Sequence, residues 1–142
     1  MPNILQPINH TAATLALNED THAEAWVTLN KADGMTVTLP ASTGKGARYK
    51  LFVGTTFTSN CVVQVANGTD ILQGGIAMST DIGGTNLLTA STTDTITMNG
   101  STQGGLKGSW LCFDDVASGI WALSGFVITT GTETTPFSAA VS

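Results

Sequence analysis

The sequence predicts an all-β fold, a single-domain antiparallel β-sandwich or barrel, on three observations. Alternating apolar and polar runs recur at about 8–12-residue spacings between breaks rich in Gly, Asn and Asp, the pattern of sandwiches and barrels. Charged residues make up 11% of the 142 residues and hydrophobic ones 42%, so Ser and Thr, rather than the Glu and Lys of exposed helices, supply the polar faces. No long amphipathic helix is legible, which leaves no room for a βαβ unit. One core at this length needs neither metal nor disulfide. The organisation expected is an extended N-terminal arm over residues 1–14, a β body over residues 15–130 and a small polar tail over residues 131–142.

Taken in order, residues 1–14 carry Pro2, Pro7, Asn3 and Asn9 without a period. They read as an arm outside the core sheet that orders when Ile4, Leu5 and Ile8 lie against a partner. Asn18 to Thr21 reads as a turn or a short helical start. Glu24–Leu29 and Met35–Leu39 alternate around Asp33-Gly34 and read as a hairpin with Val27, Leu29, Val37 and Leu39 inward. Pro40 ends that strand because it cannot donate to a ladder. Ala47–Val53 follows, with Arg48, Lys50 and Phe52 on one face and Tyr49, Leu51 and Val53 on the other. Cys61–Ala66 and Ile71–Met78 flank Asn67-Gly68 as a second hairpin, and Gly74-Gly75 inside the return strand marks a bulge or a close backbone approach.

Asn86–Leu88 reads as a short strand, and the segment from Thr93 to Ser124 organises the rest. It contains a strand at Thr95–Met98, a glycine-rich crossing, and a hairpin of Trp110–Asp114 with Ile120–Leu123 about Ser118-Gly119. Both faces of this hairpin carry apolar residues, so it must be covered twice. The domain covers one face, and a neighbouring chain covers the other. The expected oligomer interface is the outer face of the hairpin, assigned to Trp110, Cys112, Trp121 and Leu123.

A net charge of −5 with five Lys and Arg in all leaves no basic patch for a run of phosphates, so nucleic acid and anionic membranes are not expected partners. No segment has the apolar length to cross a bilayer, and the start lacks a secretory pattern; the expectation is a protein made in a cytoplasm. Cys61 and Cys112 read as buried thiols, with a disulfide between them as the alternative.

Catalytic patterns are weak. The histidines, His10 and His22, accompany no G-x-S-x-G elbow, and Asp114-Asp115 reads as a solvated turn whose adjacent side chains point apart. Gly44-Lys45-Gly46 and Gly104–Gly108 do not match a phosphate loop. His22 and Glu24 lack further metal ligands, calcium at Asp81, Asp114 or Asp115 has no supporting motif, and no cofactor is expected. The sequons at Asn9, Asn67 and Asn99 read as turn residues. Trp26, Trp110 and Trp121 fit either a sugar platform or a core and interface set.

The run from Thr21 to Tyr49, with His22-Ala23, then Ala32-Asp33-Gly34, then Thr36-Val37-Thr38-Leu39-Pro40-Ala41-Ser42-Thr43-Gly44-Lys45-Gly46-Ala47, resembles a module of small structural proteins of tailed bacteriophages. In these the module precedes a glycine-rich segment like Gly104-Gly105-Leu106-Lys107-Gly108 and a Trp-containing hairpin. Glu24-Ala25 stands where Gly-Arg is commoner. The resemblance implies a capsid decoration (cement) protein on the outer surface of a virion. It would not be an enzyme, and its partners would be the major capsid protein and its own copies. Trimers suit threefold and dimers twofold positions of a shell, with the trimer favoured. Shell contacts would fall on Ile4, Leu5 and Ile8. The competing expectation is a receptor-binding or fibre-tip module that recognises a host-surface glycan.

Overall fold

The computed structural model describes residues 5–142. Its first half is wound as a coil through two sheets. β1 (Ile8–His10), β3 (Trp26–Leu29) and β5 (Arg48–Val53) lie in a larger sheet, while β2 (Thr14–Ala16), β4 (Met35–Thr38) and β6 (Cys61–Gln64) lie in a smaller one. Successive strands therefore alternate between sheets, and every second strand returns in the same direction. That is why β1, β3 and β5 pair in parallel, as do β2, β4 and β6. Parallel neighbours need a crossover, and here a strand of the opposite sheet supplies it.

The second half completes both sheets with β7 (Ile71–Thr80), β8 (Gly83–Leu88), β9 (Thr95–Met98), β10 (Trp110–Ala117), β11 (Ile120–Ile128) and β12 (Phe137–Ser138). The larger sheet runs β1-β3-β5-β10-β11-β7-β8 and the smaller β12-β9-β6-β4-β2. The fold is all-β, and both sheets are mixed rather than antiparallel. The β10–β11 hairpin forms as expected. The two other expected hairpins do not, because Asn30–Gly34 and Asn67–Asp70 carry the chain from one sheet to the other. Gly34 has φ +97°, and a Cβ there would meet the carbonyl of Asn60. Its glycine serves the close approach of the next turn of the coil, not a two-residue loop. Asn67 folds the other crossing by accepting from the N–H groups of Thr69 and Asp70 at 3.0 and 2.9 Å.

The two inner faces share one core. Val27, Leu29, Tyr49, Leu51, Leu111, Phe113, Trp121 and Leu123 come from the larger sheet, and Leu15, Val37, Cys61, Val63, Ile96 and Met98 from the smaller. A four-residue helix, α1 (Glu19–His22), is capped by the Asn18 side chain, which accepts from the Thr21 N–H at 2.9 Å. Close approach at Gly74-Gly75 is realised: a Cβ on Gly74 would meet the Leu123 carbonyl, and one on Gly75 would lie 2.8 Å from that of Leu87.

Both ends depart from expectation. Ile8–His10 is not outside the core sheet but its edge strand, in register with Val27–Leu29. Phe137–Ser138 pairs with Ile96 and Thr95, and the buried Asp94 carboxylate accepts from the N–H groups of Ala140 and Val141 at 2.8 and 3.2 Å. Residues 131–142 are thus tied to the body rather than left as a tail. Both cysteines are free. Cys61 faces the core and Cys112 the outer surface of the other sheet, so no disulfide joins them.

Candidate functional site

Alternation along three adjacent strands builds an aromatic patch on the outer face of the larger sheet. Arg48, Lys50 and Phe52 project outward from β5 as read from the sequence, and their flanking registers set Lys50 between Trp26 and Cys112, and Phe52 between Thr28 and Trp110. Phe126 of β11 continues the row beyond Trp110. The rings of Trp26 and Phe52 meet edge to face at 6.4 Å, and those of Trp26 and Trp110 do the same at 6.4 Å. Lys50 Nζ lies 5.2 Å from the Trp26 ring centroid. Edge-to-face pairs contribute about 0.5–1.5 kcal/mol each and an exposed cation–π contact about 0.5–1. These contacts fix the orientation of Trp26 yet leave it 38% exposed.

The rim is charged. Arg48 Nε donates to Asp114 Oδ1 at 2.6 Å, and that bond raises the guanidinium pKa above its ordinary value. The pair is exposed and adds little to stability. Burial raises the pKa of the Cys112 thiol, with the nearby Asp114 charge adding to the shift. The thiol is thus kept neutral and acts here as a small apolar group.

Of the four residues expected at an oligomer interface, only Trp110 and Cys112 lie on this face. Trp121 and Leu123 are in the core, with Trp121 0% exposed. A bulge separates the two sets. Ala117 pairs with Ile120, but Asp115 pairs with Trp121, so Val116 is the extra residue. Without it Trp121 would oppose Val116 and share the face of Trp110; a one-residue shift sends every side chain of the return strand to the opposite face. Ile4 lies outside the described residues, Leu5 is 59% exposed, and Ile8 packs partly against the core.

The paired carboxylates point apart as expected, but they lie in a strand rather than in a solvated turn. Asp115 is buried beneath the Ser42–Gly44 loop and accepts from the Ser42 hydroxyl at 2.7 Å, the Thr43 N–H and hydroxyl at 3.0 Å each, and the Gly44 N–H at 2.8 Å. Burial opposes its ionisation, but these donors together outweigh it and hold the carboxyl below the ordinary aspartate value. The Gly44-Lys45-Gly46 segment is therefore a loop folded onto a carboxylate. His22 Nδ1 accepts from the Asn18 N–H at 3.0 Å, and burial lowers its pKa, so it serves the helix cap as a neutral ring. Among the described residues, no three His, Cys, Asp or Glu side chains are grouped to hold a metal ion, and no helix is long and apolar enough to cross a membrane.

The arrangement is a row of outward aromatic rings beside a lysine and an Arg48–Asp114 ion pair. Comparison with protein families, curated proteins and solved structures finds no match to this chain.

Proposed function

We propose that the protein is a structural component of a tailed-phage virion, a capsid decoration protein with a β-sandwich body that acts as a homo-oligomer on the outer surface of the shell. The observation that carries the reading is the outward aromatic row in which Trp26 is exposed and Phe52, Trp110 and Phe126 are half-buried. Apolar faces of this kind mark association sites in protein surfaces, and the resemblance of the Thr21–Tyr49 run to phage structural modules supplies the context. In this reading the face joins neighbouring subunits, and the N-terminal stretch with Leu5 and Ile8 meets the major capsid protein. Many copies then turn modest contacts into high occupancy.

The exposure of Trp26 also suits a glycan-binding module. Ring planes crossing at 88° and 86° and Lys50 over one of the rings leave no common platform for a sugar, which favours the first reading. The test is decoration of undecorated capsids. The wild-type protein is expected to bind in copy numbers matching the shell symmetry, and the Trp26→Ala, Trp110→Ala double variant to lose at least about tenfold in occupancy, since two aromatic anchors cost over 1.4 kcal/mol, when assayed well below its thermal midpoint, which falls with the lost ring contacts. Absence of the protein from virions, full occupancy by the double variant, or glycan-dependent quenching of Trp26 fluorescence would each overturn the reading.

A further inference from the structure

The two histidines make opposite kinds of hydrogen bond. His10 Nε2 lies 2.9 Å from the Thr14 carbonyl. A carbonyl only accepts, so this nitrogen carries a proton, and the bond survives when the ring becomes charged. His22 Nδ1 lies 3.0 Å from the Asn18 backbone N–H. An N–H only donates, so Nδ1 is the bare nitrogen of a neutral ring whose proton sits on Nε2. A second proton has to go to Nδ1, where it would face the Asn18 N–H. The bond therefore exists in one protonation state of His22 and not in the other.

That bond closes a reciprocal cap. Asn18 Oδ1 accepts from the Thr21 N–H at 2.9 Å, the Asn18 carbonyl accepts from the His22 N–H at 2.9 Å, and the His22 ring accepts from the Asn18 N–H. A four-residue helix is too short to hold itself by propagation, and Glu19, Asp20 and Thr21 of α1 are all exposed. His22, 7% exposed, is its buried anchor. Glu19 also forms part of the wall of a cavity of about 210 Å³, beside Pro40, Ala41, Tyr49 and Trp121, so α1 covers this end of the core.

The surroundings favour the neutral ring. Burial lowers the His22 pKa, the Asn18 backbone offsets part of that shift, and the like charge of His10 on β1 lowers it further. Glu19 and Asp20 of α1 and Glu24 beyond it project to solvent. On β5, Arg48 accepts the Glu24 N–H at its carbonyl and gives its guanidinium to Asp114. Tyr49 is kept a neutral phenol by burial and by the Glu19 and Asp20 charges.

We propose that His22 is an acid-sensitive latch: at neutral pH its bare Nδ1 holds the Asn18–His22 turn closed, and protonation releases α1 from this end of the core. The linkage has one sign. The closed state binds the proton more weakly than the open one, so closure is complete above the ordinary histidine value of 6.5 and weakens as pH falls through it. Asp115 titrates below 3.8 and the two thiols above 9.0, outside this window.

The test follows amide hydrogen exchange in the full chain, corrected for intrinsic rates, at about pH 7.5 and about pH 5.5, one unit either side of the ordinary value. Protection of the Asn18 and His22 amides is expected to fall by about three- to tenfold at the lower pH, while the amides of β10 and β11 keep theirs. His22→Asn retains an acceptor near the Nδ1 position without a titrating proton, and its protection is expected to be flat with pH. His10→Gln retains a donor for the Thr14 carbonyl, and the fall is expected to persist in it. The titration of the His22 ring itself, followed by NMR in the wild-type protein, is expected below 6.5. Unchanged protection in the wild-type protein, a matching fall across β10 and β11, an equal fall in His22→Asn, loss of the fall in His10→Gln, or a ring titrating at or above the ordinary value would overturn the proposal. No capsid enters these measurements, so their outcome is separate from that of the decoration reading.

Discussion

Glu24 holds φ at +65°, the one described non-glycine residue with a positive value. Its side chain is exposed, so nothing in the packing rewards the left-handed conformation, which costs an L-residue about 1–2 kcal/mol. Glu24→Gly is expected to raise stability by about 1 kcal/mol, after the greater unfolded-state entropy of glycine is subtracted, seen as a higher urea midpoint at unchanged slope. Asp115 works in the opposite sense. Its folded-state pKa lies below the ordinary aspartate value of 3.8, so the folded form binds the proton more weakly than the unfolded one. Its contribution is complete above the unfolded value and is lost as pH falls through the folded one. Asp115→Asn is expected to cost about 2–3 kcal/mol at pH 7, because buried donors lose a charged acceptor. The variant should also show a shallower loss of stability as pH falls through and below the ordinary aspartate value of 3.8, measured by denaturant titration across pH.

At the scale of elements, crossings and bulges decide more than strand propensity does. The strand at Met35–Thr38 and its inward residues follow from alternation, but its partner is β6 and not β3. Gly34 records that choice in its backbone. Gly34→Ala would force a Cβ onto the Asn60 carbonyl at φ +97°, and the backbone would have to shift between consecutive turns of the coil. The expected loss is about 2–3 kcal/mol, in the range for strained backbone positions, read from thermal and urea midpoints; an unchanged midpoint would mean that the crossing is not constrained. The Val116 bulge has the same character. One extra residue turns Trp121 from a surface ring into the largest fully buried side chain.

At the scale of the whole molecule, the loss of occupancy expected for the Trp26→Ala, Trp110→Ala protein depends on strand order, because the patch exists only where β3, β5 and β10 become neighbours. Alternation already placed Arg48, Lys50 and Phe52 on one face, and that reading holds. It also identified the strands at Arg48–Val53, Cys61–Gln64 and Thr95–Met98 to within a few residues, the Ser118-Gly119 turn and the close approach at Gly74. Alternation, turn chemistry and low charge are local properties, so the sequence by itself determined the β class, the position of most strands and which residues of each strand share a face. Only the tertiary structure decided the parallel coil through two sheets, the edge pairing of Ile8–His10 and Phe137–Ser138, the outward face of the β10–β11 hairpin and the company that Trp26 keeps. These depend on contacts between segments far apart in the chain and on a single-residue register shift, neither of which leaves a mark in local periodicity.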